Sequence, residues 1–127
     1  MSRDPRYSDE VRRLFEATPR AGRPPPDEGW VQGEAREPLT GTNVRWHLRA
    51  ADGRIVDARY EVRGCPHTIA AAALVADRLV GQAVAGVDAD PAAAAAELDV
   101  PAEKLGRLFV IQDAVRRAAL LLRRVRA

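Results

Sequence analysis

Cysteine is almost missing from this chain of 127 residues: Cys65 stands alone. One thiol cannot close an internal disulfide, so the expected setting is a reducing cytoplasm. Histidine is limited to His47 and His67, and neither sits at a zinc-ligand spacing. No HExxH, GxSxG, phosphate-cradling glycine loop or pair of catalytic carboxylates occurs. Hydrolase and zinc-enzyme chemistry therefore have no residues to stand on, and the chain reads as a non-enzyme. Long apolar runs are missing too. Nothing approaches the roughly 20 residues of a membrane-spanning helix, and the opening MSRDPRYSDE lacks the apolar stretch of a signal peptide. Lysine is nearly absent as well: all but one of the 20 basic residues are arginine, at a net charge of only +2. These arginines form no stripe along the chain, so neither a membrane nor a nucleic acid is an expected partner.

With 46% hydrophobic and 30% charged residues, the chain has the composition of one globular domain, residues 1–127, able to close a single core. Residues 8–17, SDEVRRLFEA, open with capping side chains and place Val11, Leu14 and Phe15 at helical spacing. Residues 18–38 hold Pro19, Gly22, the run Pro24-Pro25-Pro26, Gly29, Gly33 and Pro38. They read as irregular, with a short edge strand over 30–34. From Asn43 the period becomes two. Val44, Trp46 and Leu48 alternate with Arg45, His47 and Arg49, and Asp52-Gly53 signals a hairpin turn. The return strand offers Val56, Ala58, Tyr60 and Val62 on one face.

After Gly64 the pattern is helical. Pro66 suits a first helical position, Ile69, Ala73, Ala76 and Val80 fall on one stripe, and Gly81 is a natural stop. Residues 91–98 form a short alanine-rich helix, and Pro101 begins another turn. Leu108, Ile111, Val115, Ala118, Leu122 and Val125 trace a long final helix whose arginines 123, 124 and 126 suit its negative end. A hairpin sheet followed by several helices implies an α+β domain with helices on one face of an antiparallel sheet.

Cys65 lies where a strand ends and a helix begins. Free N–H groups and the positive helix end favour thiolate there, the form that attacks sulfur or binds metal. His67 is near enough in sequence to add a ligand or accept a proton. The alternative is an inert, buried thiol, since free cysteine is among the most buried residue types. His47, on the polar side of its strand, reads as a solvated or salt-bridging residue.

The stretch GCPHTIAAAALVADRLVG resembles, without a gap, the segment around the middle cluster-binding cysteine of IscU/NifU-type iron–sulfur scaffold proteins. YSDEVRRLFEATPRAG looks like that family's opening helix, and DGRIVDARYEVRGC like its hairpin return strand. The resemblance runs from about residue 7 to the end and implies the same α+β fold. It also implies a cluster site of three cysteines, an aspartate and a histidine. In register, the first cysteine position is Thr40, followed by the retained Gly41, and the aspartate position is Thr42. The middle cysteine is Cys65, the third falls at Arg107, and the histidine before it at Gly106. The chaperone-docking stretch falls on VPAEK, residues 100–104, where Pro101 and Lys104 are kept and Glu103 adds a charge.

A [2Fe–2S] cluster takes four ligands, commonly thiolates. Threonines are poor substitutes and arginine has no lone pair to give. The resemblance implies iron or a [2Fe–2S] cluster as cofactor, whereas the replaced ligands leave a monomer unable to hold one. Three functions follow. A divergent scaffold could reach four ligands as a homodimer supplying Cys65 and His67 twice. A sulfur acceptor would take a persulfide on Cys65 from a cysteine desulfurase or another iron–sulfur assembly protein. SufE-type acceptors share the fold, although their cysteine lies nearer Thr40 than Cys65. A non-catalytic binding module would keep the surface without the metal. The expected role is a degenerate scaffold acting in iron–sulfur cluster assembly through Cys65.

Overall fold

A computed structural model describes residues 7–25 and 29–125, the side chain of Val125 excepted. Pro26, Arg126 and that side chain, included in the sequence patterns above, lie outside the described residues. Three antiparallel strands, β1 (Trp30–Glu37), β2 (Thr42–Ala51) and β3 (Arg54–Arg63), form one sheet in the order β1-β2-β3. Helix α1 (Asp9–Ala17) precedes it, and α2 (Pro66–Leu79), α3 (Pro91–Leu98) and α4 (Leu105–Val125) follow. Helix α4 lies across β1 and β2, α2 lies against β3, and α1 packs on α2. The α+β reading holds in full.

The inner face of the sheet carries Ala35, Val44, Trp46, Leu48, Ala58 and Tyr60, all buried. Trp46 and Tyr60 are cross-strand partners, and their rings meet at 5.7 Å in a tilted geometry. Against them α4 lays Leu108, Ile111, Val115, Ala118 and Leu122, the stripe expected from the sequence and buried throughout. Ser8 serves two elements at once. Its Oγ accepts the Val11 N–H to cap α1 and donates to the Leu98 carbonyl, tying α1 to α3.

Four local expectations need correction. First, β1 extends from Trp30 to Glu37, three residues beyond the edge strand expected over 30–34. Gly33, inside the expected edge strand, serves as a packing device. A side-chain carbon there would run into the Ala114 carbonyl and the Ala118 backbone, whose Cα would stand 2.9 Å away. Only glycine lets α4 approach the strand this closely. Second, Val56 does not face inward. The register passes from Arg49 opposite Asp57 to Ala50 opposite Ile55, so Val56 is the extra residue of a bulge. Ile55 takes the core position, and Val56 is 43% exposed.

Third, α2 has no single apolar stripe. Ile69 and Val80 are half-buried. His67, Thr68, Ala70, Ala71, Ala72 and Ala73 are buried instead, because the helix is enclosed by the sheet and by its neighbouring helices. Small side chains permit that enclosure. Fourth, Phe15 is 40% exposed, while Val11 and Leu14 alone of its helix reach the core.

Substitution of Gly33 by alanine is expected to destabilise the protein by roughly 3 kcal/mol, since backbone rather than a flexible side chain blocks the added carbon. Gly106, in the first turn of α4, has no atom within 4 Å of its would-be Cβ. Gly106→Ala should therefore raise stability slightly, by about 0.5 kcal/mol. Urea unfolding of both variants checks the contrast. Equal effects would mean that the β1–α4 contact is looser than described.

Candidate functional site

Two chain reversals and one helix end meet at one end of the sheet. The first is the β1–β2 connection. Gly41 takes a positive φ of 73° and donates its N–H to the Glu37 carbonyl, closing a tight turn after Pro38. Glu37 holds that turn from inside. Its carboxylate accepts the Leu39 N–H at 3.0 Å, the Thr40 N–H at 2.6 Å and the Thr40 hydroxyl at 2.8 Å. The Thr40 and Thr42 hydroxyls lie 2.7 Å apart, and Thr42 is buried at 2% exposure. Both threonine hydroxyls are thus engaged within the turn. The bonds from Thr40 and Leu39, with the more distant Arg107 charge, hold the Glu37 carboxyl below its ordinary range against a smaller opposing effect of burial.

The second reversal is the passage from β3 into α2. Cys65 is the N-cap of α2 in extended backbone, and Pro66 occupies the first helical position as expected. Its sulfur closes no cap hydrogen bond in the manner of serine or aspartate, but lies 3.4 Å from the Thr68 hydroxyl. Gly64 makes room for that contact, since a Cβ there would stand 3.3 Å from the Thr68 Cβ. Burial alone pushes the half-exposed thiol up. The Thr68 hydroxyl and N–H, the Arg107 guanidinium and the His67 N–H together outweigh it, and the thiol titrates below its ordinary value.

Arg107, in the first turn of α4, therefore acts on both reversals. Its charge favours the Cys65 thiolate on one side and the Glu37 carboxylate on the other. Thr40, Thr42, Cys65 and Arg107 are gathered at this end of the sheet, and Gly106 stands exposed beside Arg107. His67 is placed differently. Its imidazole is fully buried, with its ring 4.8 Å from that of Tyr7. Lys104 of the VPAEK stretch sits over the other ring of this pair, 5.8 Å from the Tyr7 centroid. To act as a ligand, His67 would have to leave the Tyr7 contact.

His47 is not solvated. It is 5% exposed and pairs with Glu61 through Nε2 at 2.7 Å, so the salt-bridging half of its reading holds. Sequence reasoning missed Thr68 and Glu37. A hydroxyl three residues after a helix N-cap was the available signal for Thr68. A glutamate immediately before a Pro-Leu-Thr-Gly turn was the signal for Glu37.

The α+β layer thus presents a thiol at a helix start, beside a tight turn and a second helix start. The family profile described as NifU-like N terminal domain matches residues 6–125. The chain belongs to that family, one of iron–sulfur cluster assembly. Among solved structures it is similar to the putative iron–sulfur cluster assembly scaffold protein for the SUF system from Fervidobacterium islandicum AW-1. The TM-score is 0.68 at 14% identity, over 90% of this chain and 96% of that one. It is also similar to the N-terminal part of a nitrogen-fixing NifU-like protein from Brucella abortus, with a TM-score of 0.51 at 18% identity over 91% of this chain and 84% of that one. No curated protein compared with the sequence matches it. Among the described residues, no helix is long and apolar enough to cross a membrane.

The donor set does not fit an iron–sulfur cluster. One thiol, two hydrogen-bonded threonines, a glycine and a guanidinium surround the place, and no three His, Cys, Asp or Glu side chains among the described residues are grouped to hold a metal.

Alkylation of folded wild-type protein against pH should show a midpoint below that of an unstructured cysteine. The lowered thiol leaves more thiolate at neutral pH, so modification there should be faster. Thr68→Val and Arg107→Ala should each raise the midpoint and slow alkylation near neutrality. A wild-type midpoint at or above that of a free thiol would contradict the electrostatics described.

Proposed function

We propose that this NifU-like domain acts in iron–sulfur cluster assembly as a sulfur acceptor, with Cys65 as the accepting thiol. What supports this reading is the cation that acts on the thiol: Arg107, in the register that the resemblance implies, stands at a cluster-ligand position, and its guanidinium favours the Cys65 thiolate. A sulfur donor, such as a cysteine desulfurase carrying a persulfide, presents its outer sulfur to the Cys65 thiolate. The new S–S bond forms on that sulfur as the donor's own S–S bond breaks and the donor cysteine leaves as thiolate. The terminal sulfur keeps its proton, and no oxidant or reductant is required.

Once that proton passes to solvent, Arg107, the Thr68 hydroxyl and the N-terminal N–H groups of α2 stabilise the persulfide anion as they stabilise the thiolate. The domain turns over no substrate of its own and is not an enzyme. The unpaired thiol suits a reducing cytoplasm. Iron or a [2Fe–2S] cluster is cargo of the wider process, and a monomer of this chain lacks the ligands to carry it.

Mixing the protein with a desulfurase that carries a persulfide, then measuring intact mass without reductant, tests the reading. Wild type should gain the mass of one sulfur on the peptide containing Cys65, and Cys65→Ser should gain none. Arg107→Ala should accept sulfur roughly tenfold more slowly at neutral pH, corresponding to the loss of about 1.4 kcal/mol of anion stabilisation. No sulfur on wild-type Cys65, with a donor shown to be loaded, would leave the non-catalytic binding module as the better reading.

A further inference from the structure

No described helix covers the outer face of the sheet, and the charge of that face is out of proportion to the rest of the chain. Arg45, Arg49 and Arg59 occupy its centre, pointing away from the helices by strand alternation. The segment before β1 runs parallel beside β3, bridged at Ala21 and Tyr60. It adds Arg20 against Asp57 at 3.2 Å and Arg23 against Glu61 at 3.4 Å. Arg36 and Arg63 complete the face at the end nearest Cys65. Seven arginines thus share a surface with Glu34, Asp57 and Glu61, and a fourth carboxylate, Glu37, lines the groove beside Arg36 and Arg63. That is a surplus of three positive charges among the described residues, whereas the whole chain carries only +2.

All four carboxylates are already engaged, Glu37 by the Leu39 and Thr40 N–H groups and the Thr40 hydroxyl of its own turn. Glu34 takes Arg45 at 3.0 Å, Glu61 takes His47 at 2.7 Å, and Asp57 lies between Arg20 and Arg59. What remains is the outermost row, in which Arg36 and Arg63 flank Asn43 across the three strands. Arg36 has 69% of its side chain exposed and reaches Glu34 only at 3.9 Å. Arg63 is exposed and has no ion-pair partner among the described residues. Asn43 and Arg63 are shared by two adjoining shallow grooves of about 440 and 310 Å³, one leading towards Thr42 and the other towards Glu34 and Arg45.

The geometry points to this row as a docking site for an acidic, carboxylate-bearing segment of a partner protein. Strands lie about 4.8 Å apart, so the outer two arginines are roughly 10 Å apart at the backbone. Two carboxylates three residues apart on a segment of polyproline II conformation share one face about 9 Å apart and match that distance. The Asn43 amide between them suits a backbone carbonyl or N–H. Charge complementarity selects a short acidic stretch over a nucleic acid, because Glu34 and Glu61 lie one row further in and repel a continuous run of phosphates. Trp30, the aromatic at this edge, is already covered by Arg49 at 5.5 Å and offers no free face for a base. This surface does not depend on the chemistry of Cys65.

A deca-glutamate peptide is the probe, titrated calorimetrically at low ionic strength against wild-type protein. Binding is expected, and it should vanish near 1 M salt, where screening acts within about 3 Å. Arg36→Glu with Arg63→Glu should weaken it roughly tenfold or more, while Cys65→Ser leaves it unchanged. The control is Arg116→Glu with Arg124→Glu, two exposed arginines of α4. If the control weakens binding as much as the row variant, the attraction is only overall charge and the site is overturned. The site is equally overturned if the peptide does not bind wild type. A DNA oligonucleotide that binds more tightly than the peptide, and loses that affinity in the row variant, would assign the row to nucleic acid instead.

Discussion

The contact on which the architecture depends is the near approach of α4 to β1 at Gly33. With no side chain at that position, the backbone of Ala114 and Ala118 settles directly onto the strand. This draws the helix down over the inner face, where Leu108, Ile111 and Val115 reach the core around Trp46. It also sets where the helix begins. Arg107 stands one residue before Leu108, so the seating of the stripe fixes its guanidinium between the two reversals at the sheet end. The electrostatics of Cys65 thus depend on a packing decision made elsewhere along the same helix.

On the proposed register, that placement puts a cation where the family's site has a ligand. Metal binding needs several soft, deprotonated donors converging on one point. Here the positions hold a single thiol, hydroxyls that serve their own turn, and a fixed cation. A cation beside a metal site repels the metal, and beside a thiol it promotes the anion. The same substitution therefore removes one chemistry and favours another. Glu37 has a part in this, since its hydrogen bonds to the turn and the Arg107 charge keep it ionised and near the guanidinium.

The fold was legible because its signals were periodic. Alternation in β2 and the stripe in α4 gave both elements and their buried faces. What escaped was what periodicity cannot carry. The packing role of Gly33 was not legible, because a glycine in an edge strand carries no mark of the helix that lies against it. Val56 faced the wrong way on paper because a bulge shifts the alternation by one residue with no compositional mark. Cys65, Thr40, Thr42 and Arg107 were proposed from the family register, and the fold brings them to one end of the sheet. Thr68 and Glu37 have no counterpart in the cluster pattern. Their roles arise from local hydrogen bonds that form only when each turn closes. His67 was adjacent to Cys65 in sequence, but helix geometry turned its ring towards Tyr7 and the core.

The central claim is that side-chain identity at this sheet end, and not the fold, separates this chain from a cluster-carrying relative. Anaerobic reconstitution with iron and sulfide tests it most directly, comparing wild type with the triple variant Thr40→Cys, Thr42→Asp and Arg107→Cys. Size-exclusion chromatography, visible absorption and iron analysis are read together, with circular dichroism confirming that both proteins are folded. The account predicts a colourless wild-type monomer without bound iron, and a coloured monomer of the triple variant carrying two irons. A coloured wild-type monomer with two irons, or a folded triple variant that takes up none, would contradict it.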